Sequence, residues 1–442
     1  MNKIPIEKTH ASLIRDGVSE HEQTLHPAKP FWVLFVANLG IGTWLMGVII
    51  AKMNLTFVTG MGVLFSGSFV GSLLPALTAT IGPRSRLSQI EAGRLSLGLG
   101  GKRIPAFLNW VGAIGWDVIN NIIASSALVL LLSSFGLSVP FWLALGILVT
   151  VQMIIDIYGH HMIQATSRWT GVFLTLFFIV IGVMAMRQSG SYVPPTRPAG
   201  LNDILSALLL ITIYNTSGWT TYTADYTRYL PRKTPSFTIF LGIFLALFLS
   251  LVLLGFFGFM TAASVTEETP AGVMKGLQQL TGKYSGLVLL LVGFSAIPSN
   301  AVNGNSAAYS LMSSGFRYSR PAAAMLGAVT GYVICLLASG SFLDFFENFL
   351  LLFAHWIAPW GAVVLVHWHL AGNRSQKTEE GISLGGMIFI LVSIGSLFLF
   401  SSNGFYRGPV ATLLGGNDIG PFVGFLTAGL IYYAATKRSS PG

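Results

Sequence analysis

Twelve separate apolar stretches, each long enough to cross a hydrocarbon core of roughly 30 Å, punctuate this chain. They lie near residues 31–51, 56–80, 104–134, 140–158, 164–186, 203–224, 236–262, 285–312, 321–339, 343–368, 382–402 and 417–436. Runs of that length predict an all-α membrane protein, because a helix satisfies its own backbone hydrogen bonds in lipid. Composition agrees: 53% of the 442 residues are hydrophobic and 9% charged, against about 25% charged in soluble proteins. No loop between the runs is long enough for a second soluble domain.

The net charge is +9. The basic residues lie between the apolar runs, so they report orientation in a membrane and not a nucleic-acid surface. With the N-terminus inside, 19 of the 25 Lys and Arg fall on the inner side. That asymmetry supports an even number of spans and cytoplasmic N- and C-termini in a multi-pass protein of the cell membrane. Residues 1–29 are polar and read as a cytoplasmic tail without the apolar core of a signal peptide.

Cys335 is alone, which excludes an internal disulfide and a cysteine metal cluster. The chain has no H-E-x-x-H, G-x-S-x-G or P-loop lysine motif, so no enzyme, cofactor or metal site is expected. His160 and His161 are adjacent and do not share a helical face. His355, His367 and His369 flank span 10 and read as interfacial anchors.

Two spans are interrupted at their centres. Span 1 reads Asn38-Leu39-Gly40-Ile41-Gly42-Thr43-Trp44, and span 6 reads Asn215-Thr216-Ser217-Gly218-Trp219-Thr220-Thr221. Unwound backbone at membrane depth is tolerated where it lines a cavity or is buried in protein. A pair of such interruptions five spans apart predicts broken helices 1 and 6 in a 5+5 inverted repeat. It also argues against a channel built on an oligomeric filter.

Two further spans carry unusual polarity. On span 3, Trp116 and Asn120 share a face, with Gly112 and Ala113 one turn earlier leaving space beside the indole. An aromatic plane with a carboxamide one turn away suits a flat heterocycle: the ring stacks and the amide reads its edge. Asp117 stands between them, and an ionised Asp at a span centre costs about 2.5–3.5 kcal/mol on insertion scales, so it needs a cavity or partners. Span 8 carries Ser299, Asn300, Asn303 and Asn305. Their oxygens could bind substrate, meet span-1 carbonyls near Asn38 and Gly40 to hold Na⁺, or join helices to one another.

Together these segments resemble the nucleobase–cation symporter-1 family, in its purine–cytosine permease branch, from about Pro30 to Leu370. The resemblance rests on Thr43-Trp44-Leu45-Met46-Gly47 of span 1, Gly82-Pro83-Arg84 with Arg94 after span 2, and Gly115-Trp116 with Asn120 of span 3. It also rests on Gly218-Trp219-Thr220-Thr221-Tyr222-Thr223-Ala224-Asp225-Tyr226 of span 6, Asn303 to Tyr309 of span 8, and Phe346-Glu347-Asn348-Phe349 of span 10.

The resemblance implies a leucine-transporter-type fold with alternating access, importing a nucleobase with H⁺ or Na⁺. The transporter core would be residues 30–370, with repeats about 30–187 and 203–370, and 371–442 would add two spans and a short tail. Trp116, Asn120, Trp219, Gly218, Asn303 and Thr43 would bind the base. Asp117, Ser299, Gly40 and Asn38 would serve the coupling ion, and Asp225, Arg228 and Arg94 gating or structure. Sodium-coupled members place adjacent Ser or Thr on span 8, where this chain has Val302 and Asn303, which favours H⁺. Other expected cargoes are hydroxymethylpyrimidine, allantoin or hydantoin types; a base sensor is the non-transport reading. The protein is expected to work as a monomer.

Overall fold

The computed structural model describes residues 17–158, 160–187, 193–267, 269–370 and 380–438. Most of the N-terminal tail, the loop bearing Arg374 and Lys377, and the side chains of His160 and His161 lie outside the described residues.

Among the described residues, helices occupy all twelve apolar runs, as the fold of a twelve-span protein requires. Spans 1 to 12 are Ala28–Asn38 with Ile41–Ala51, Phe57–Ala79, Arg103–Ser134, Phe141–Tyr158, His160–Met186, Leu201–Trp219 with Thr223–Thr227, Ser236–Met260, Ser285–Ser313, Arg320–Ala338, Phe342–Leu365, Leu384–Phe400 and Gly420–Arg438. Among the described residues, six helices are long and apolar enough to span on their own, and the two halves of span 1 together make a seventh. The rest are shorter or more polar, and neighbouring helices supply partners for their polar groups. An additional helix, Pro270–Thr281, follows span 7, started by the Thr269 hydroxyl accepting from Gly272 N.

The break in span 1 falls where the sequence places it. Leu39 and Gly40 leave helical geometry (φ −81°, ψ 53° and φ −111°, ψ 164°), and the two halves meet at 56°. The freed Asn38 carbonyl accepts the Thr43 hydroxyl at 2.6 Å. Span 6 differs from expectation. Its helix runs on through Asn215 to Trp219 and breaks at Thr220–Tyr222. The Thr220 hydroxyl bonds back to the Thr216 carbonyl (2.6 Å), and Thr78 of span 2 donates to the Thr220 carbonyl (3.2 Å). The polar side chains thus satisfy the backbone one turn beyond the glycine.

Spans 1, 2, 6 and 7 pack together, and spans 3 and 8 lie side by side with 4 and 9 against them. The second half of span 1 meets span 7 backbone to backbone: a Cβ at Gly47 would strike the Gly255 carbonyl, and one at Gly258 the Trp44 carbonyl. Small residues permit this approach, which is how helices gain contact in lipid.

Candidate functional site

Spans 1, 3, 6 and 8 enclose one buried cavity of about 30 Å³. Nine residues chosen from the sequence line it: Asn38, Gly40 and Thr43 of span 1, Trp116 and Asn120 of span 3, Gly218 and Trp219 of span 6, and Ser299 and Asn303 of span 8. The indole of Trp116 lies against Gly218, where an added Cβ would meet the ring at 3.4 Å.

The amides have defined orientations. Asn120 Nδ2 donates to Asn300 Oδ1 (2.8 Å), which leaves the Asn120 carbonyl as the free acceptor. The Asn303 side chain faces the Asp117 carboxylate. An ionised carboxylate only accepts, so Asn303 keeps one N–H and its carbonyl for a ligand. Trp219 Nε1 donates to Asn38 Oδ1 (3.1 Å), and Asn38 Nδ2 donates to Ser250 Oγ (2.9 Å), which fixes the second aromatic wall to span 7. The Thr43 hydroxyl meets Tyr214 Oη at 2.8 Å, so it orders the phenol and is itself engaged. Ser299 Oγ donates to the Ala37 carbonyl at the span-1 break.

Toward the face without the termini, the cavity is covered by aromatic rings. Trp116 meets Tyr214, Phe349 and Phe346 edge to face with centroids 5.5, 5.5 and 6.3 Å apart. Gly112 does not leave open space beside the indole, as the sequence suggests; it admits the ring of Phe353, and Gly115 that of Phe349, both from span 10. Above this cover is a cavity of about 550 Å³ lined by Leu45 and Lys52, Leu210, Glu347 and Leu351, and Asp418. Leu210 and Tyr214 are one helical turn apart, so a single aromatic layer separates the two spaces.

Toward the termini the closure is deep and polar. Asp225, 1% exposed, accepts from Gln89 N (2.7 Å) and Ser306 Oγ (2.8 Å). Gln89 Oε1 in turn accepts from Thr223 Oγ1 (3.0 Å) and Ala224 N (2.9 Å). Below this, the Arg228 guanidinium covers the ring of Tyr309 (4.7 Å). Gln23, from the start of the described chain, donates to the carbonyls of Pro83 and Arg228, both at 3.0 Å. Arg94 is away from the cavity, in an ion cluster with Glu91 (3.1 Å) that Lys102 joins (2.6 Å).

His355 corrects the interfacial reading. It is buried at 2% exposure, with its ring nitrogens 2.7 Å from Ser396 Oγ and 2.9 Å from Asp418 Oδ2, and so ties span 10 to the last two spans. Among residues that sequence reasoning passed over, Tyr214 had the clearest signal, a lone phenol beside the Asn-Thr-Ser-Gly run. Asp156, two residues before the end of span 4, drew no notice in the sequence and is 3% exposed.

Broken helices crossing at one aromatic–amide cavity, closed by unlike layers on its two sides, define a secondary transporter of the leucine-transporter fold. The chain belongs to the family described as permeases for cytosine/purines, uracil, thiamine and allantoin, whose model matches residues 17–386. It is 26% identical over 433 residues to a putative purine-cytosine permease of Bacillus subtilis (strain 168), covering 92% of this chain and 91% of that one. It is 24% identical over 451 residues to a purine-cytosine permease of Saccharomyces cerevisiae (strain ATCC 204508 / S288c), covering 94% and 84%. The fold matches Mhp1, a nucleobase-cation-symport-1 family transporter, in a closed conformation with bromovinylhydantoin bound: TM-score 0.76 at 15% identity, covering 96% of this chain and 94% of that one. The protein is a multi-pass membrane transporter and not an enzyme.

Proposed function

We propose that the protein imports a nucleobase of the cytosine or purine type by H⁺ symport, as a monomer, with both termini in the cytoplasm. The observation that carries this reading is the cavity wall: Trp116 and Trp219 flank a space whose polar lining is the amides of Asn120 and Asn303. Stacking on an aromatic face is worth about 1–3 kcal/mol per base in proteins that bind single-stranded nucleic acid. The Asn120 carbonyl suits a ring N–H or an exocyclic amine, and Asn303 offers both a donor and an acceptor.

A space of about 30 Å³ is smaller than a base, so loading parts the walls, and the 550 Å³ cavity beyond the aromatic layer is the route in. The excess of Lys and Arg on the termini side supports a cytoplasmic assignment for that face. Two features favour H⁺ over Na⁺. The fully buried Val302, on the span-8 face toward span 1, offers a cation no side-chain oxygen. Asp117, in turn, touches the substrate-reading Asn303. When ionised it accepts from the amide; when protonated it donates to it, so its proton decides which edge of Asn303 faces the base. Transport of a hydantoin-like ring is the second reading, favoured by the ligand of Mhp1.

The test is uptake of radiolabelled cytosine, adenine and guanine into proteoliposomes under an imposed pH or Na⁺ gradient. The expected outcome is pH-driven accumulation of at least one base, lowered about tenfold to a hundredfold by Trp116→Ala. Failure of all three bases alongside accumulation of a hydantoin sinks the nucleobase assignment. Accumulation driven by Na⁺ alone sinks the proton.

A further inference from the structure

Behind the substrate cavity, spans 3, 4, 8 and 9 enclose a second polar core. Asn300 Nδ2 donates to Asn121 Oδ1 (2.9 Å) and Gln152 Oε1 (3.0 Å), and Asn121 Nδ2 donates to the same Gln152 oxygen (3.1 Å). Asp117 is one turn from Asn121 on span 3, and Asp156 is one turn beyond Gln152 on span 4. Gln152 faces Asp117, and the charge of Asp156 acts on it. The two carboxylic residues are 8% and 3% exposed, and Oδ1 of each has no hydrogen-bond partner among the described residues.

Span 8 makes room for the second carboxylate, since a Cβ on Gly304 would strike Asp156 Oδ2. Arg320, the first residue of span 9, donates Nη2 to the Asp156 main-chain oxygen and to Asn305 Oδ1, both at 3.0 Å, and its charge acts on the Asp156 carboxylate. The other titratable groups facing the pair are Tyr222 and Tyr226 of span 6 and Cys335 of span 9.

Two carboxyls and one guanidinium leave a surplus negative charge inside the membrane when both acids ionise. Nearby like charges in a low dielectric disfavour that state. We propose that Asp117 and Asp156 hold one exchangeable proton between them, and that Asp156 beside Arg320 is its release point to the cytoplasm. The proposal rests on the H⁺-symport reading above. In the transfer, the O–H bond on Asp117 breaks as one forms on Asp156. Asp117 is left as a carboxylate that accepts from Asn303. Asp156 then gives the proton to cytoplasmic water and returns to the carboxylate facing Arg320. The direction follows from the fold: Asp117 is mid-span, whereas Asp156 and Arg320 lie at the termini-side ends of spans 4 and 9. The proton thus travels within spans 3, 4, 8 and 9, while the base passes between spans 1 and 6 and spans 3 and 8.

The experiment uses the full chain in liposomes with an entrapped pH dye and labelled cytosine and adenine. In the wild type, base entry should acidify the lumen. Asp156→Asn should lower base-dependent acidification and pH-driven accumulation by at least tenfold while base-for-base exchange stays measurable. Gly304→Ala, which displaces the carboxylate and keeps it, should reduce acidification in the same direction. Wild-type protein should be labelled at Asp156 by a hydrophobic carbodiimide, which attacks protonated carboxyls, and more so at lower pH. Full acidification in folded Asp156→Asn, or no pH-dependent labelling of Asp156, overturns the proposal. Wild-type accumulation without acidification, driven by Na⁺, instead overturns the H⁺ reading on which it stands.

Discussion

The two closures of the central cavity are built from different materials. One is a single layer of rings, Tyr214, Phe346 and Phe349 gathered on Trp116. The other is several layers deep, from the Asp225–Gln89–Ser306 knot through Arg228 and Tyr309 to the strap at Gln23. Rings that meet edge to face contribute about 0.5–1.5 kcal/mol per pair and can swing aside one side chain at a time. Hydrogen bonds to a buried carboxylate are worth about 1.5–3 kcal/mol each and are lost together when helices part. The difference teaches that the aromatic side opens by local rearrangement and the polar side by moving whole helices.

Three substitutions break or sharpen that contrast. The largest effect is expected for Asp225→Asn, which weakens the acceptor for Gln89 N and Ser306 and should favour opening on the termini side by about thirtyfold to a hundredfold, the equivalent of roughly 2–3 kcal/mol. A cysteine placed at Thr223 and its rate of thiol labelling from that side measure this; an unchanged rate means the knot is not the lock. Phe349→Ala should raise labelling from the opposite side about tenfold or less while leaving the Thr223 position protected, since it removes one ring contact. If both sides respond equally, the layers are not independent. Tyr214→Phe is the mildest: it loses one hydroxyl contact with Thr43, worth about 0.5–1.5 kcal/mol, and should raise KM a few-fold at unchanged kcat. The lone Cys335 is fully buried, so these labelling experiments need no prior removal of a native thiol.

Much of the architecture was legible because a hydrophobic run of membrane length has few ways to fold. The span-1 break was legible too, since Gly40 and Gly42 interrupt an otherwise apolar run between the polar Asn38 and Thr43. The span-6 break was misplaced by about a turn. Its outcome depends on hydroxyls reaching back to Thr216 and across from Thr78, a relation between helices that no single window contains. Trp116 and Asn120 declared themselves by sharing a face with unusual chemistry. Phe346 and Phe349 did not, because in an apolar span a ring over the site and a ring facing lipid read alike. Asp156 was hidden by position, since a polar residue near an apparent span end draws no notice until the packing shows it enclosed; His355, in the middle of its run, was misread because its partners lie on other spans.

The glycine contact between spans 1 and 7 has a mechanical consequence. With the carbonyls of Trp44 and Gly255 lying where side chains would otherwise stand, neither helix can slide or roll past the other without driving main-chain atoms together. The second half of span 1 and span 7 are thus held in main-chain contact at two points, and a shift of either helix presses on the backbone of the other.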